Sequence, residues 1–337
     1  MNNWKTYIKQ LVKSAIPDDT KKHSPIAPHV TLILTGGGHM IPYTLGALCY
    51  LQEYIRASSA TIETVHCVSA GAICGAMVLT NNLLEQLVSC KEALLSPSAV
   101  SSMNISKFLS PFMDDSSYVS CQNKLHIYAN ELQWNGPRRI HMSRYESTEE
   151  LLHMVHGSSC VPGIIAPVPY HMHNNRKLVD GMYQPVVLTP SNDNVAIEIN
   201  VRKKSLYPPD WMQSNPAMFD SHVMSGILDA HMACKMRREQ GGVRFIHNTM
   251  YEKVTSAVQE IIWKYMIYCV MISYCVFLSL WESYVVPLFT STLVRDNVKK
   301  LISYFPSYTM QSSYARAMYG AFIQYYFDQT SKEPEES

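Results

Sequence analysis

The sequence predicts a mixed α/β protein built on a central, mostly parallel sheet, and three stretches carry that prediction. Thr31-Leu32-Ile33-Leu34-Thr35 is an apolar run that ends in Gly36-Gly37-Gly38. Tyr43, Leu45, Leu48, Leu51 and Ile55 then recur at helical spacing. Val65-His66-Cys67-Val68 follows and leads into Ser69-Ala70-Gly71-Ala72. Two apolar runs, each closed by small residues and separated by an amphipathic segment, read as strand, glycine loop, helix, strand, serine turn and helix.

The remaining elements follow in chain order. Over 1–27, Trp4, Ile8, Leu11, Val12 and Ala15 share a helical face flanked by Lys5, Lys9 and Lys13. This pattern fits a helix lying at a lipid interface or an ordinary packed terminal helix, and Pro17-Asp18-Asp19 ends either one. No uninterrupted apolar core follows Met1, so the start does not read as a secretory signal. The periodicity predicts helices over about 42–56, 70–80 and 85–95, a strand over 63–68, a loop-rich stretch over 96–115 and a helix over 118–132. A strand is expected at 139–142. Ser147 with Glu150 forms a capping-box pattern for a helix reaching about 156, and 195–201 reads as a further strand.

The serine turn is the leading chemical feature. A tight strand-to-helix turn presents a hydroxyl clear of the backbone only where its neighbours are small, as Ala70, Gly71 and Ala72 are. The start of the next helix adds N–H dipoles beside it. In a parallel βαβ unit, loops leaving the C-terminal ends of both strands share one rim, so Gly36, Gly37 and Gly38 fall near Ser69. Unhindered amides there suit an oxyanion. A phosphate cradle fits less well: no Lys-Ser or Lys-Thr follows the glycines, and Gly-Gly-Gly-His-Met-Ile is not a dinucleotide fingerprint. The serine needs a base. Leu178-Val179 leads into Asp180-Gly181, a strand end opening into a turn, which makes Asp180 the candidate. By itself an Asp-Gly pair could equally be only a turn.

With these residues in place the chain resembles the patatin-like phospholipase family. Gly36-Gly37-Gly38 matches the oxyanion loop, Ser69-Ala70-Gly71 the nucleophile elbow after Cys67 and Val68, and Asp180-Gly181 the other half of a Ser-Asp dyad. Ser158-Ser159-Cys160-Val161-Pro162-Gly163 is similar to the small-residue and proline segment before the aspartate, and Gln184-Pro185-Val186 to the stretch after it. The resemblance covers about 28–202. It implies a three-layer sandwich around the sheet and hydrolysis of fatty acyl esters, of phospholipid, lysophospholipid or acylglycerol type, in a membrane or lipid droplet. It further implies an acyl-enzyme on Ser69, with Asp180 as the base, and no metal or cofactor. Three positions depart from the pattern: Cys67 for the elbow's first glycine, Met40 for the arginine after the glycine loop, and Met182 for the second glycine after the aspartate. Cys67 raises the expectation of a strained or reshaped elbow.

Two other readings stay open on the sequence. One is a patatin-like protein that binds membranes or partners without turnover. The other is an α/β-hydrolase esterase with a Ser-Asp-His triad completed by His222, His231 or His247, although His222 and His231 share a helical stretch with Val223, Ile227 and Ala230.

Composition narrows the field. With 337 residues, 47% of them hydrophobic and 16% charged, the chain can bury a large core. A net charge of +1 provides no basic field for nucleic acid, and no interleaved basic and aromatic pattern is present. Nine scattered cysteines lack paired metal-ligand spacing and read as free thiols of a reducing compartment. No EF-hand loop for calcium is visible. After 202 the resemblance ends, and 203–331 reads as a helical, partly membrane-seeking region with an apolar segment over 261–289. Within it, 265–281 carries no charge, with Lys264 before and Glu282 after. The expectation is an intracellular, membrane-associated protein, with 261–281 as a candidate single-pass span. An acidic tail, 332–337, closes the chain.

Overall fold

A computed structural model describes residues 2–16, 27–95, 105–133, 136–161, 170–181, 194–201, 218–246 and 258. Strand β1 (His29–Leu34) is buried at every position after His29, as a central strand covered on both faces must be. It runs into a one-turn 3-10 helix (Gly38–Met40) and helix α2 (Ile41–Ala57), whose first turn holds Pro42, where a missing N–H costs nothing. Strand β2 (Thr61–Val68) then pairs parallel with β1, and helix α3 (Ala70–Thr80) follows after a single residue, Ser69. The predicted strand, loop, helix, strand, turn and helix are all present.

Later elements complete an eight-stranded sheet. Helix α4 (Leu83–Leu95) is followed by short helices α5 (Ile105–Leu109) and α6 (Ser117–Cys121). Strands β3 (Leu125–Gln133) and β4 (Gly136–Met142) precede helix α7 (Thr148–Ser158), and β5 (His171–His173) and β6 (Arg176–Asp180) form a hairpin. Strand β7 (Asn194–Ile199), helix α8 (Phe219–Met236) and strand β8 (Val243–Ile246) finish it. The order is β5-β6-β3-β2-β1-β7-β8, with β4 on β3. The four central strands, β3, β2, β1 and β7, are parallel; β4, β6 and β8 join antiparallel.

Two local expectations meet the structure differently. Ser147 caps α7 as predicted, accepting a 3.1 Å hydrogen bond from the Glu150 amide, but the Glu150 carboxylate turns to the Glu146 amide. The helix expected over 118–132 is instead the short α6 followed by β3. Leu125, Ile127 and Ala129 alternate inward, and β3 has partners on β2, β4 and β6. Sheet pairing available on both sides outweighs the weak helical periodicity of that stretch.

The apolar core lies on one face of the sheet. Leu32, Leu34, Val65, Cys67, Leu125, Ile127 and Ile197 join the buried faces of the described helices in one cluster. The opposite face carries Thr31, Thr64, His66, His126, Tyr128 and Glu198 beside the buried Ile33, Val68 and Ala196. Helix α8 crosses α2 closely, and Tyr43 Oη ties the junction by donating to Asp229 (2.8 Å) and accepting from the Gly242 amide (2.9 Å).

Helix α1 (Asn2–Ala15) is packed against the body of the protein. Ile8 and Val12 are buried, Trp4 meets Phe219 with ring centroids 6.2 Å apart, and Lys5 and Lys9 both pair with Glu85. This is the packed terminal helix of the two alternatives.

The expected single-pass, membrane-associated placement requires correction. Among the described residues no helix is long and apolar enough to cross a membrane. The run 261–281 from which that expectation arose lies outside the described residues, as do Pro162, Met182, Gln184-Pro185-Val186 and His247.

Candidate active site

Ser69 occupies the single residue between β2 and α3 with φ 55° and ψ −135°, a left-handed conformation that costs energy for any residue with a Cβ. Its carbonyl accepts the first helical bond from Ala72 (2.8 Å). Small neighbours make the turn possible. Gly71 lies against the end of β1, where an added Cβ would come within 2.4 Å of the Leu34 carbonyl oxygen. Ala70 and Ala72 are buried in the same turn. The positive φ falls on Ser69 itself. Cys67 keeps strand geometry, its Sγ donating to the His126 carbonyl at 3.4 Å, so the expected strain sits two residues later than Cys67. Val68 is the last residue of the strand and is also buried.

Asp180 ends β6. That strand pairs antiparallel with β3, and the register sets Asp180 opposite Ala129. Since β2 lies on the parallel side of β3, the ends of β2 and β6 meet. Ser69 Oγ donates a 2.6 Å hydrogen bond to Asp180 Oδ2 across 111 positions of sequence. A short bond from a neutral hydroxyl to a carboxylate is the strong, charge-assisted kind. Ser69 is 1% exposed and Asp180 0%. Gly181 is required by the approach to β3, for a Cβ there would sit 2.3 Å from the Tyr128 carbonyl oxygen.

The glycine loop leaves β1 on the same rim. Thr35 is anchored by its amide and hydroxyl to the Ile199 carbonyl (3.1 and 3.2 Å), Gly36 and Gly37 follow, and Gly38 opens the 3-10 turn with φ 52°. That turn packs against α3, whose first residues follow the serine. Met40 is buried.

Two residues without an assigned role in the sequence hold the pair in place. Ser158, the last residue of α7, accepts a 3.0 Å hydrogen bond from the Ser69 amide and donates at 2.6 Å to the Tyr128 carbonyl. Asn130 on β3 donates to the Asp180 carbonyl at 2.8 Å. Ser158 stood in a small-residue run, where nothing distinguishes a structural hydroxyl from an idle one. Asn130 was hidden in a stretch read as helix.

The other candidates are elsewhere. His222 and His231 lie on α8, and His231 Nδ1 is 3.1 Å from Tyr50 Oη. The seven described cysteines are free and buried; burial pushes the Cys160 thiol up to about 12, with the Asp180 charge adding to it, and raises Cys67 well above the usual thiol range. Such thiols stay protonated and are poor nucleophiles. Among the described residues no group of three or more His, Cys, Asp or Glu could hold a metal ion.

Fold and site together define a mixed α/β protein with a buried serine–carboxylate pair at a strand-to-helix elbow. No family model matches the chain, and no curated protein matches it. Among solved structures it is similar to the heterodimeric ExoU–SpcU complex of the Pseudomonas aeruginosa type III secretion system, with 13% identity, 92% of this chain and 68% of that chain covered, and a TM-score of 0.34. A structure described as type III effector protein ExoU gives 13% identity, 91% and 70% coverage, and a TM-score of 0.33. A likeness of this degree bears on neither the reaction nor the partners of this chain.

Proposed function

We propose that the chain is a patatin-like lipid acyl hydrolase that cleaves fatty acyl esters through a Ser69–Asp180 dyad and an acyl-enzyme. The observation that carries this reading is the 2.6 Å bond between Ser69 Oγ and Asp180 Oδ2. Lipid as the substrate class rests on the resemblance of Gly36-Gly37-Gly38, Ser69-Ala70-Gly71 and Asp180-Gly181 to the family's motifs.

In this mechanism Ser69 Oγ attacks the ester carbonyl while its proton passes to Asp180. The carbonyl oxygen takes the negative charge, and backbone amides of Gly36, Gly37 and Gly38 stabilise it. Collapse of the tetrahedral species breaks the ester C–O bond, and the leaving alcohol takes the proton from Asp180. A water molecule then attacks the acyl-serine as Asp180 accepts its proton. The fatty acid departs, and the proton returns to Ser69. Each half-reaction moves one proton through one carboxylate, so no histidine is needed. Because Ser69 is 1% exposed, an ester reaches it only when neighbouring chain moves aside.

That burial is also the one observation favouring a second reading, a patatin-like protein that binds without turnover. A fluorophosphonate probe separates the two. Labelling of purified protein that is lost in Ser69→Ala, together with fatty acid release from a mixture of phospholipid, lysophospholipid and acylglycerol, supports the hydrolase. Neither labelling nor release supports the binding protein.

A further inference from the structure

The strained turn at Ser69 needs something to hold it, and three hydrogen bonds converge on one residue that does so. Ser158 is 0% exposed. Its hydroxyl accepts from the Ser69 amide at 3.0 Å and donates to the Tyr128 carbonyl at 2.6 Å, while its own carbonyl accepts from the Gly181 amide at 3.3 Å. Two residues on, the Cys160 carbonyl accepts from the Asp180 amide at 2.9 Å. The end of α7 is thus stitched to the serine turn on one side and to the Asp-Gly turn on the other.

We propose that Ser158 is a positioning residue for the hydrolase: its hydroxyl latches the Ser69 elbow to β3, and its backbone holds the Asp180 turn, so that alcohol and carboxylate stay at reacting distance. The role rests on the Ser69–Asp180 reading above. It follows from what a hydroxyl can do and an aliphatic group cannot. An O–H donates and accepts at once, so one atom satisfies both the Ser69 N–H and the Tyr128 C=O. Removing it leaves two buried main-chain groups unpaired at the residue whose backbone is already strained. The elbow then relaxes away from φ 55°, and Ser69 Oγ leaves the line to Asp180. The same bond occupies the Ser69 amide, which leaves the glycine loop, rather than the serine's own N–H, to meet the oxyanion.

Ser159 supplies an internal control. It is equally buried at 0%, and its hydroxyl has no hydrogen-bond partner among the described residues. The test compares wild type, Ser158→Ala and Ser159→Ala by the time constant of fluorophosphonate labelling and by kcat and KM for ester hydrolysis. The folded fraction of each variant, read by circular dichroism, scales the labelling rate by at most that fraction, so a variant that is mostly folded cannot imitate a slowing of about tenfold through partial unfolding.

Ser158→Ala is expected to slow labelling and kcat by on the order of tenfold to a hundredfold with KM within about twofold, while Ser159→Ala matches wild type. If Ser158→Ala does not fold, Ser158→Cys, which keeps the volume and weakens both bonds, must show the slowing instead. A variant at 158 with wild-type rates, or equal slowing in Ser159→Ala, overturns the role while leaving the hydrolase standing. A wild type that neither labels nor turns over removes the hydrolase reading and this role with it.

Discussion

Gly71 sits against Leu34 so closely that a methyl group added to it would come within 2.4 Å of the Leu34 carbonyl oxygen. This contact presses the first turn of α3 onto the end of β1 and thereby brings the serine turn beside the glycine loop. Gly71→Ala must push the two apart, because the obstacle is backbone and cannot rotate away. The expected result is a loss of about 1–3 kcal/mol in stability and a fall in turnover of roughly a hundredfold, read by thermal unfolding and ester hydrolysis. Unchanged turnover would show that the elbow tolerates displacement.

Ser69→Ala and Asp180→Asn each should lower kcat by roughly a thousandfold or more, and the double variant should be little worse than either. Near-identity of single and double losses is the signature of two groups acting as one. Asp180→Asn preserves shape and the Asn130 contact to its carbonyl, so circular dichroism and Tm should stay close to wild type. Additive losses in the double variant would argue against a dyad.

Cys67→Ala should keep activity within a few-fold of wild type. The left-handed residue is Ser69, and Cys67 serves as a buried strand side chain whose Sγ meets the His126 carbonyl. Stability should drop by about 1–2 kcal/mol for the lost sulfur. Urea unfolding and turnover, measured together, check both parts.

His231→Ala should leave kcat unchanged, since its ring bonds to Tyr50 between α2 and α8. A modest loss of stability, about 1 kcal/mol, is expected for the unpaired hydroxyl. A collapse of kcat would revive the three-residue esterase.

Acid should destabilise the protein through its stacked histidines. His66 is lowered to about 3 by burial, then by His126, His141 and Arg139; His171 is lowered to about 4 by burial, then by His156, His153 and His173. A histidine depressed in the folded state binds its proton more readily when unfolded, so unfolding takes up protons below the ordinary value of 6.5. The stability these groups contribute is present above about pH 6.5 and is lost as pH falls toward 4 and then 3. Unfolding midpoints should therefore decline from pH 7 to pH 5, and His66→Gln should reduce the slope by at most about 1 kcal/mol per pH unit averaged over that window, most steeply at its acid end. A flat profile would contradict the neutral, buried state of the stack.

The first half of the site was legible because its signals are local. A strand pattern ending in three glycines and another ending in Ser69-Ala70-Gly71 each place residue type and backbone demand within a few positions of one another. Asp180 was legible as the partner only through its Asp-Gly setting and the family resemblance, since nothing in residues 70–179 encodes a distance to Ser69. The misread stretch over 118–132 has the same origin. Leu125, Ile127 and Ala129 alternate, but His126 and Tyr128 between them face His66 and His141 on neighbouring strands, and those neighbours come from elsewhere in the chain.

The sequence by itself determined the order of strand, loop, helix and elbow, and singled out Ser69 and Asp180 as the candidate pair. Periodicity and small-residue turns act over a few residues and survive without their surroundings. Only the tertiary structure decided that β6 lies beside β3 in the register that carries Asp180 to Ser69, and that the Ser158 hydroxyl, 89 positions from Ser69, is an anchor while that of Ser159 is not. Those outcomes depend on strand pairing and on the burial of particular main-chain groups, which exist only once distant segments have met.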